Sequence, residues 1–293
     1  MIMMNNNLRI FIQVAEKGSF TATANELFIS QPAISRAIKS LEDELKLKLF
    51  YRDKRNGLIL TDAGNKILIQ ARQMADIENR IYQTAFRENN FLGGKVRIAS
   101  MPIITSVILS KVFYNFRQKY PFVTLELMEG STIEIRKAIL EHQVDFGITA
   151  SPFGDLDSLS LLKDRMVSIS SNHSGLDQEI NLLDSENNYI LCRAGYETLI
   201  AELKDKKTQL QHCFIVQQAE TVINMVTQDN GIGIISEFVL DANPNTLKKR
   251  PVEPSIEMDI GLIANDLNDL TPVAIELVNM IKNECNNYKK EHS

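Results

Sequence analysis

Apolar residues recur at helical spacing along the first ninety positions, as in Leu8, Phe11, Ile12 and Ala15, which predicts a mostly helical head. One interruption, Leu47 to Leu60, sets Asp53-Lys54-Arg55-Asn56-Gly57 between Leu49-Phe50 and Leu58-Ile59-Leu60. Asn-Gly flanked by apolar residues is a strong hairpin signal, so the stretch predicts a two-stranded β wing. Thr61-Asp62 then opens a helix whose apolar positions, Ala63, Ile67, Ala71, Met74, Ile77, Ile81 and Ala85, continue to residue 91 without a proline. So long a stripe predicts pairing with a second copy of itself, its first two turns packing on the head.

After Gly93-Gly94 the pattern becomes an alternation of short apolar runs and helical stretches. The runs are Val96 to Ser100, Val123 to Met128, Asp145 to Thr149, Met166 to Ser170, Tyr189 to Arg193, Phe214 to Gln217, Gly231 to Ile235 and Met258 to Ile263. Helices are expected over Val107 to Lys119, Ile133 to Glu141, Tyr196 to Lys204, Thr221 to Gln228 and Val273 to Asn286. Such alternation argues for a mainly parallel sheet covered by helices. A chain of 293 residues also exceeds what one core usually serves. We divide it into a winged helix-turn-helix over 1–61, a linker helix over 62–92 and a larger domain over 93–293.

Charge sharpens this division. Residues 1–92 carry 13 Lys/Arg against 10 Asp/Glu, whereas the rest carries 19 against 27, so a mildly basic head precedes an acidic body. The first residues lack a basic patch followed by an apolar run, and no stretch offers eighteen uncharged apolar residues, so the expectation is a cytoplasmic chain with no membrane partner. Cys192, Cys213 and Cys285 suit reduced thiols, the alternative being a redox pair of Cys192 with Cys213.

The most informative segment runs from Gly18 to Glu42 and reads as two short helices and a tight turn. Ser19 can cap the first, on which Phe20, Ala24 and Leu27 share a face. Ser30 can cap the second, with Pro32 in the first turn, where a missing N–H costs nothing. In that second helix Ile34, Ala37, Ile38 and Leu41 face inward and Gln31, Ser35, Arg36 and Lys39 outward. A helix-turn-helix lays such a face into the major groove of double-stranded DNA, where Gln pairs with adenine and Arg with guanine. Gln31, Ser35 and Arg36 are the candidate base readers and Lys39 a phosphate contact, while Arg52, Lys54 and Arg55 of the wing suit phosphate or the minor groove.

The head resembles the LysR-type transcriptional regulators. The match covers Phe11, Ala15, Gly18-Ser19-Phe20, Ala24, Leu27, Ser30-Gln31-Pro32-Ala33-Ile34-Ser35, Ile38, Leu41-Glu42, Leu49-Phe50, Arg52, Leu60-Thr61 and Ala63-Gly64. It continues through Val96-Arg97-Ile98, Tyr120-Pro121, Asp145-Phe146-Gly147-Ile148 and Gly231-Ile232-Gly233-Ile234. Thr23 and Lys46 depart from it, standing where the family has alanine and glycine; Lys46 is expected to avoid the left-handed backbone that glycine tolerates.

The resemblance implies two α/β subdomains like those of periplasmic binding proteins, roughly 95–164 with 262–293 and 165–261, with a small-molecule effector between them. Ligands of such folds sit at strand C-terminal ends against helix N-termini. Ser100, Met101, Pro102, Ile103, Ser131, Thr132, Thr149, Arg193 and Tyr196 are the resulting candidates, Ser131 and Thr132 having a plain helix cap as the competing explanation. Many relatives carry Ser or Thr where Ile103 stands and use it to hold a carboxylate, so Ile103 weakens the case for a simple anionic effector; Arg193 is the alternative source of positive charge, with a solvent-facing place at the strand end as its competing explanation. A homodimer or homotetramer is implied, and RNA polymerase is a further partner that the resemblance allows.

Three other classes compete. An enzyme would need a nucleophile, base and orienting residue together, which no motif supplies; His142, His173, His212 and His292 fit no metal spacing, and no cofactor is expected. A solute-binding protein would share the C-terminal fold but not the DNA-reading head. An architectural DNA-binding protein would bind without regard to sequence and without an effector.

Overall fold

The computed structural model describes residues 4–53, 57–89, 92–172, 179–182, 188–193, 213–243 and 246–291. The chain forms two compact units, one made of Met1–Lys95 with Leu140–Gln143 and Thr271–Val273, the other of the remainder.

The first unit begins with α1 (Asn6–Lys17), which the Asn5 side chain caps by accepting the Asn7 N–H at 2.8 Å. It stops at Gly18, whose left-handed φ of 61° turns the chain into α2 (Phe20–Glu26), capped by the Ser19 hydroxyl on the Ala22 N–H. In α3 (Gln31–Leu45) Pro32 sits in the first turn as expected, but Ser30 makes no side-chain cap bond. The three helices enclose Phe11, Val14, Ala24, Ile34, Ile38, Leu41 and Leu49, with the Phe50 ring edge-on to Phe11 at 5.5 Å. Thr23 fits this core because its hydroxyl donates to the Ser19 carbonyl at 2.9 Å.

Lys46 does not avoid the left-handed region. It adopts φ 54° and ψ 33° at the end of α3, because the chain must reverse there while the Leu47 N–H closes on the Glu42 carbonyl at 3.1 Å. Beyond it β1 (Phe50–Asp53) and β2 (Gly57–Leu60) pair antiparallel, Phe50 opposite Leu60 and Asp53 opposite Gly57, and make the wing. The Thr61 hydroxyl caps α4 (Asp62–Glu88) through the Gly64 N–H at 2.8 Å and donates to the Lys48 carbonyl at 2.7 Å. Only glycine fits at 64, where a Cβ would stand 2.3 Å from the Leu49 carbonyl oxygen. Leu68 and Ala71 of α4 are buried in the head core, whereas Met74, Ile77 and Ile81 are 47, 50 and 48% exposed.

The second unit is built on a sheet of order β4-β3-β5-β12-β6-β10-β8-β9. Its strands are β3 (Gly94–Ser100), β4 (Val123–Glu129), β5 (Phe146–Ala150), β6 (Asp157–Ser170), β7 (Ile180–Asn181), β8 (Tyr189–Cys192), β9 (Cys213–Val216), β10 (Ile232–Ser236), β11 (Lys248–Glu253) and β12 (Glu257–Ala264). The expectation of a mainly parallel sheet needs correction. Pairs β3–β5, β8–β10 and β8–β9 are parallel, but the centre, β5–β12–β6–β10, is antiparallel because β6 and β12 run against their neighbours. The first part of β6 pairs with β12 and its last residues with β10 and β11, so one strand belongs to both halves of the sheet.

Helices pack on this frame. A π-helical turn, Thr105–Leu109, joins Pro102–Ile104 to Ser110–Lys119 in one run, α5. It is followed by α6 (Thr132–Leu140), α7 (Ala219–Thr227), α8 (Glu237–Asp241) and α9 (Pro272–Glu291). The helix expected over Tyr196 to Lys204 lies outside the described residues. Among the described residues no helix is long and apolar enough to cross a membrane.

The left-handed backbone at residue 46 yields a first prediction. Replacing Lys46→Gly removes the Cβ conflict of that conformation and should stabilise the protein by about 1 kcal/mol, read as a higher urea midpoint. An unchanged or lower midpoint would contradict this account of the turn.

Candidate nucleic-acid interface and effector cleft

The α3 helix has two unlike faces. Ile34, Ile38 and Leu41 are buried, while Pro32, Arg36 and Lys39 are exposed and Gln31 and Ser35 half-buried. No acidic residue occupies its first turn. Arg36 folds back to its own helix, its Nε donating to the Pro32 carbonyl at 3.3 Å. Gln31 borders a groove of about 320 Å³ together with Gly18 to Thr21 at the start of α2 and Asp53, Gly57 and Leu58 of the wing. The start of α3 and the wing are thus brought side by side. Arg52 lies on β1, and Lys54 and Arg55 fall outside the described residues.

Glu42 fixes that arrangement. Its carboxylate, 8% exposed, accepts the Leu49 N–H at 2.9 Å, the Phe50 N–H at 3.4 Å and the Lys48 ammonium at 2.6 Å. Burial pushes its pKa up, but those three bonds outweigh it and hold the carboxyl below the usual range. Sequence reading took Glu42 only as part of the family match. It also missed the turn before α3, where Phe28 is 94% exposed with φ 54°. Leu27, placed on one face with Phe20 and Ala24, is 37% exposed there.

The second unit holds a cleft of about 880 Å³ at the C-terminal ends of β3, β4, β5, β8, β9 and β10. Of the expected lining, Met101, Pro102, Ile103, Ser131 and Arg193 border it. Ser100, Thr132 and Thr149 do not. They are buried behind the wall, where the two threonine hydroxyls bond each other at 2.8 Å and Ser100 donates to the Met101 carbonyl at 3.2 Å. Tyr196 lies outside the described residues.

Two of the helix starts around the cleft, those of α6 and α8, are filled by the chain's own carboxylates. Glu134 accepts the Ser131 N–H at 2.8 Å and hydroxyl at 2.9 Å, and the Ser131 hydroxyl in turn faces the Glu134 N–H at 3.4 Å, which makes Ser131 the cap of α6. Those bonds hold Glu134 below the usual carboxylate range. Asp164, midway along β6, accepts the Phe238 N–H at 3.0 Å, the Arg165 N–H at 2.8 Å and the Ser236 hydroxyl at 2.5 Å. Burial nevertheless raises its pKa. Glu129 and Glu220 complete the acidic lining, with the apolar side chains of Met166, Phe238, Met258 and Ile260 beside them. None of these six was legible as lining, because each stands next to the cleft only through the fold.

Cys192 borders the cleft and its thiol donates to the Gln217 carbonyl at 3.3 Å. It pairs across β8–β9 with Val216, whereas Cys213 pairs with Tyr189. Three residues of strand span about 10 Å, too far for a disulfide. Burial also pushes the Cys213 thiol up to about 11, keeping it protonated.

Comparison with known proteins gives one answer for both units. A family model described as the bacterial regulatory helix-turn-helix protein, lysR family, matches residues 5–65, and one described as the LysR substrate binding domain matches residues 89–286. The HTH-type transcriptional regulator YoaU of Bacillus subtilis (strain 168) is 42% identical over 286 residues, covering 96% of this chain and 99% of its own. YvbU of the same organism is 30% identical, covering 94% and 96%. Among solved structures, a full-length OxyR variant from Pseudomonas aeruginosa is similar with TM-score 0.72 at 20% identity, covering 95% of this chain and 96% of its own. Full-length CbnR in complex with its target DNA is similar with TM-score 0.51 at 20% identity, covering 95% and 98%. At that identity both structures speak for the fold.

The Glu42 geometry predicts how the wing responds to mutation and pH. Glu42→Ala strands two buried backbone donors and should cost about 1–3 kcal/mol at pH 7. A lowered carboxyl contributes stability that is present above its unfolded pKa and lost as the pH falls through the folded one. The difference between wild type and Glu42→Ala should therefore narrow as the pH falls below 4.5. Urea titrations of both proteins from pH 7 downward measure it, and a gap independent of pH would contradict the role of the charge.

Proposed function

The chain belongs to the LysR family, DNA-binding transcription regulators with an effector-binding domain, and we propose that the exposed face of α3 reads base edges in the major groove of double-stranded DNA. The single observation behind this is the division of α3 into a buried apolar face and a polar face, free of acid in its first turn, set beside the wing. Gln31, Ser35 and Arg36 take the base edges, Pro32 shapes the first turn beneath them, and Lys39 takes a phosphate. Arg52, Lys54 and Arg55 carry the wing against phosphates or the minor groove.

In this reading residues 1–61 form the DNA-binding domain, 62–92 the dimerising linker and 93–293 the effector domain. Met101, Pro102, Ile103, Ser131 and Arg193 face the effector in the cleft, and Tyr196 remains a candidate there. Met74, Ile77 and Ile81, half exposed on α4, meet the same stripe of a second copy in a homodimer, or in a homotetramer made of two. The protein acts in the cytoplasm, with RNA polymerase as a further partner.

Gel-shift titration at matched salt, with the protein's own promoter and a scrambled duplex, tests the first reading. A sequence reader prefers the promoter by several kcal/mol. Equal affinity would instead mark an architectural DNA-binding protein. Arg36→Ala should lose about 1–3 kcal/mol of that preference while keeping the melting temperature, since the side chain is exposed; an unchanged preference would remove Arg36 from the reading face. Ile77→Asp should sediment as a monomer, and intact oligomers would place the pairing surface elsewhere.

A further inference from the structure

We propose that the cleft takes an amine-bearing, cationic ligand with an apolar body, and that it rejects carboxylates and phosphates. The proposal rests on reading the second unit as an effector-binding domain and gives the chemical class of the effector. The cleft and the family supply the ligand; the lining decides its charge.

An anion in a cleft at strand ends is held by free N–H groups at helix N-termini or by cationic side chains. Here two of the described helix starts are already engaged. Glu134 takes the Ser131 N–H at the start of α6, and Asp164 takes the Phe238 N–H at the start of α8. The Ser236 hydroxyl takes the Val239 N–H at 3.1 Å. Neither the α5 run nor α7 has a side-chain cap, but the first opens on Pro102, which has no N–H to give, and the second carries Glu220 in its first turn. At α6 and α8 an incoming carboxylate would meet a built-in carboxylate where its donors should be.

The charge balance points the same way. Among the described residues the cleft is lined by Glu129, Glu134, Asp164 and Glu220 against Arg193. Glu134 and Asp164 are spent on the backbone, but Glu129 and Glu220 are exposed and make no bond to the described protein. Two unpaired carboxylates at a concave, partly apolar surface attract a cation more strongly than they would on a flat one.

The rest of the wall asks for an apolar body. Met101, Met166, Met258, Ile103 and Ile260 border the same space, and methionines suit an adaptable fit to alkyl or aromatic groups. A volume of about 880 Å³ is that of a site for an organic molecule, well beyond a bare ammonium or metal ion.

The experiment is thermal unfolding and calorimetric titration of the full chain with matched probes, hexylamine and phenethylamine against hexanoate and phenylacetate. The amines should raise the melting temperature in proportion to their concentration, and the carboxylates should not. In the double variant Glu129→Gln, Glu220→Gln, whose changes are exposed and leave every helix cap in place, amine affinity should fall roughly tenfold. Protection by hexanoate or phenylacetate in place of the amines overturns the proposal and leaves the effector cleft standing. Silence from both series, or amine binding equal in wild type and double variant, overturns it as well.

Discussion

A backbone N–H left over at a turn or helix start needs an acceptor, and three carboxylates of this chain supply one. Glu42 receives Leu49 and Phe50 where the chain passes from the α3 helix into the wing. Glu134 receives Ser131 at the start of α6, and Asp164 receives Phe238 at the start of α8. The first sets the wing beside the α3 helix, and the other two shape the walls of the cleft. Because the acceptors are charged, the groups that satisfy the backbone also set the local field. The surface of α3 stays free of acid in its first turn while the cleft is lined with it. The opposite charges of head and body follow the same division.

The head was legible because its signals are local. Ser19 and Thr61 cap their helices, Gly57 opens the second wing strand opposite Asp53, and the spacing of Ile34, Ile38 and Leu41 tells the buried side of α3 from the open one. Where a local rule failed, tertiary demand had overridden it. Lys46 accepts a strained backbone because the reversal needs one there, and Ser30 leaves its cap unmade. Glu42 carries no sign in the sequence that its oxygens would reach seven and eight residues forward.

The second unit was legible in its strand-helix rhythm but not in its pairing. The first half of β6, Asp157 to Leu162, alternates polar and apolar positions and has no continuous apolar run. In β11, the charged and proline-bearing Lys248-Lys249-Arg250-Pro251-Val252-Glu253 argues against a strand by every propensity rule. The rule that ligands sit at strand ends found the right loops, yet it could not say which side chains turn toward the opening. Ser100, Thr132 and Thr149 turn inward and satisfy one another or the backbone, while Asp164 and Glu220 arrive from strands and helices far along the chain. Periodicity sees one element at a time, and a cleft belongs to several.

The shared strand β6 has a mechanical meaning. A hinge of loop residues would let the two halves of the sheet swing freely, but here a continuous hydrogen-bonded ladder runs from one half into the other, with β12 alongside it and a register shift between Ile260 and Gly261. Any change in the angle between the halves must be taken up as twist along these two strands, concentrated where the irregular ladder is softest. The unit therefore has no loop hinge between its halves along these strands: a change in their angle would load β6 and β12 in torsion.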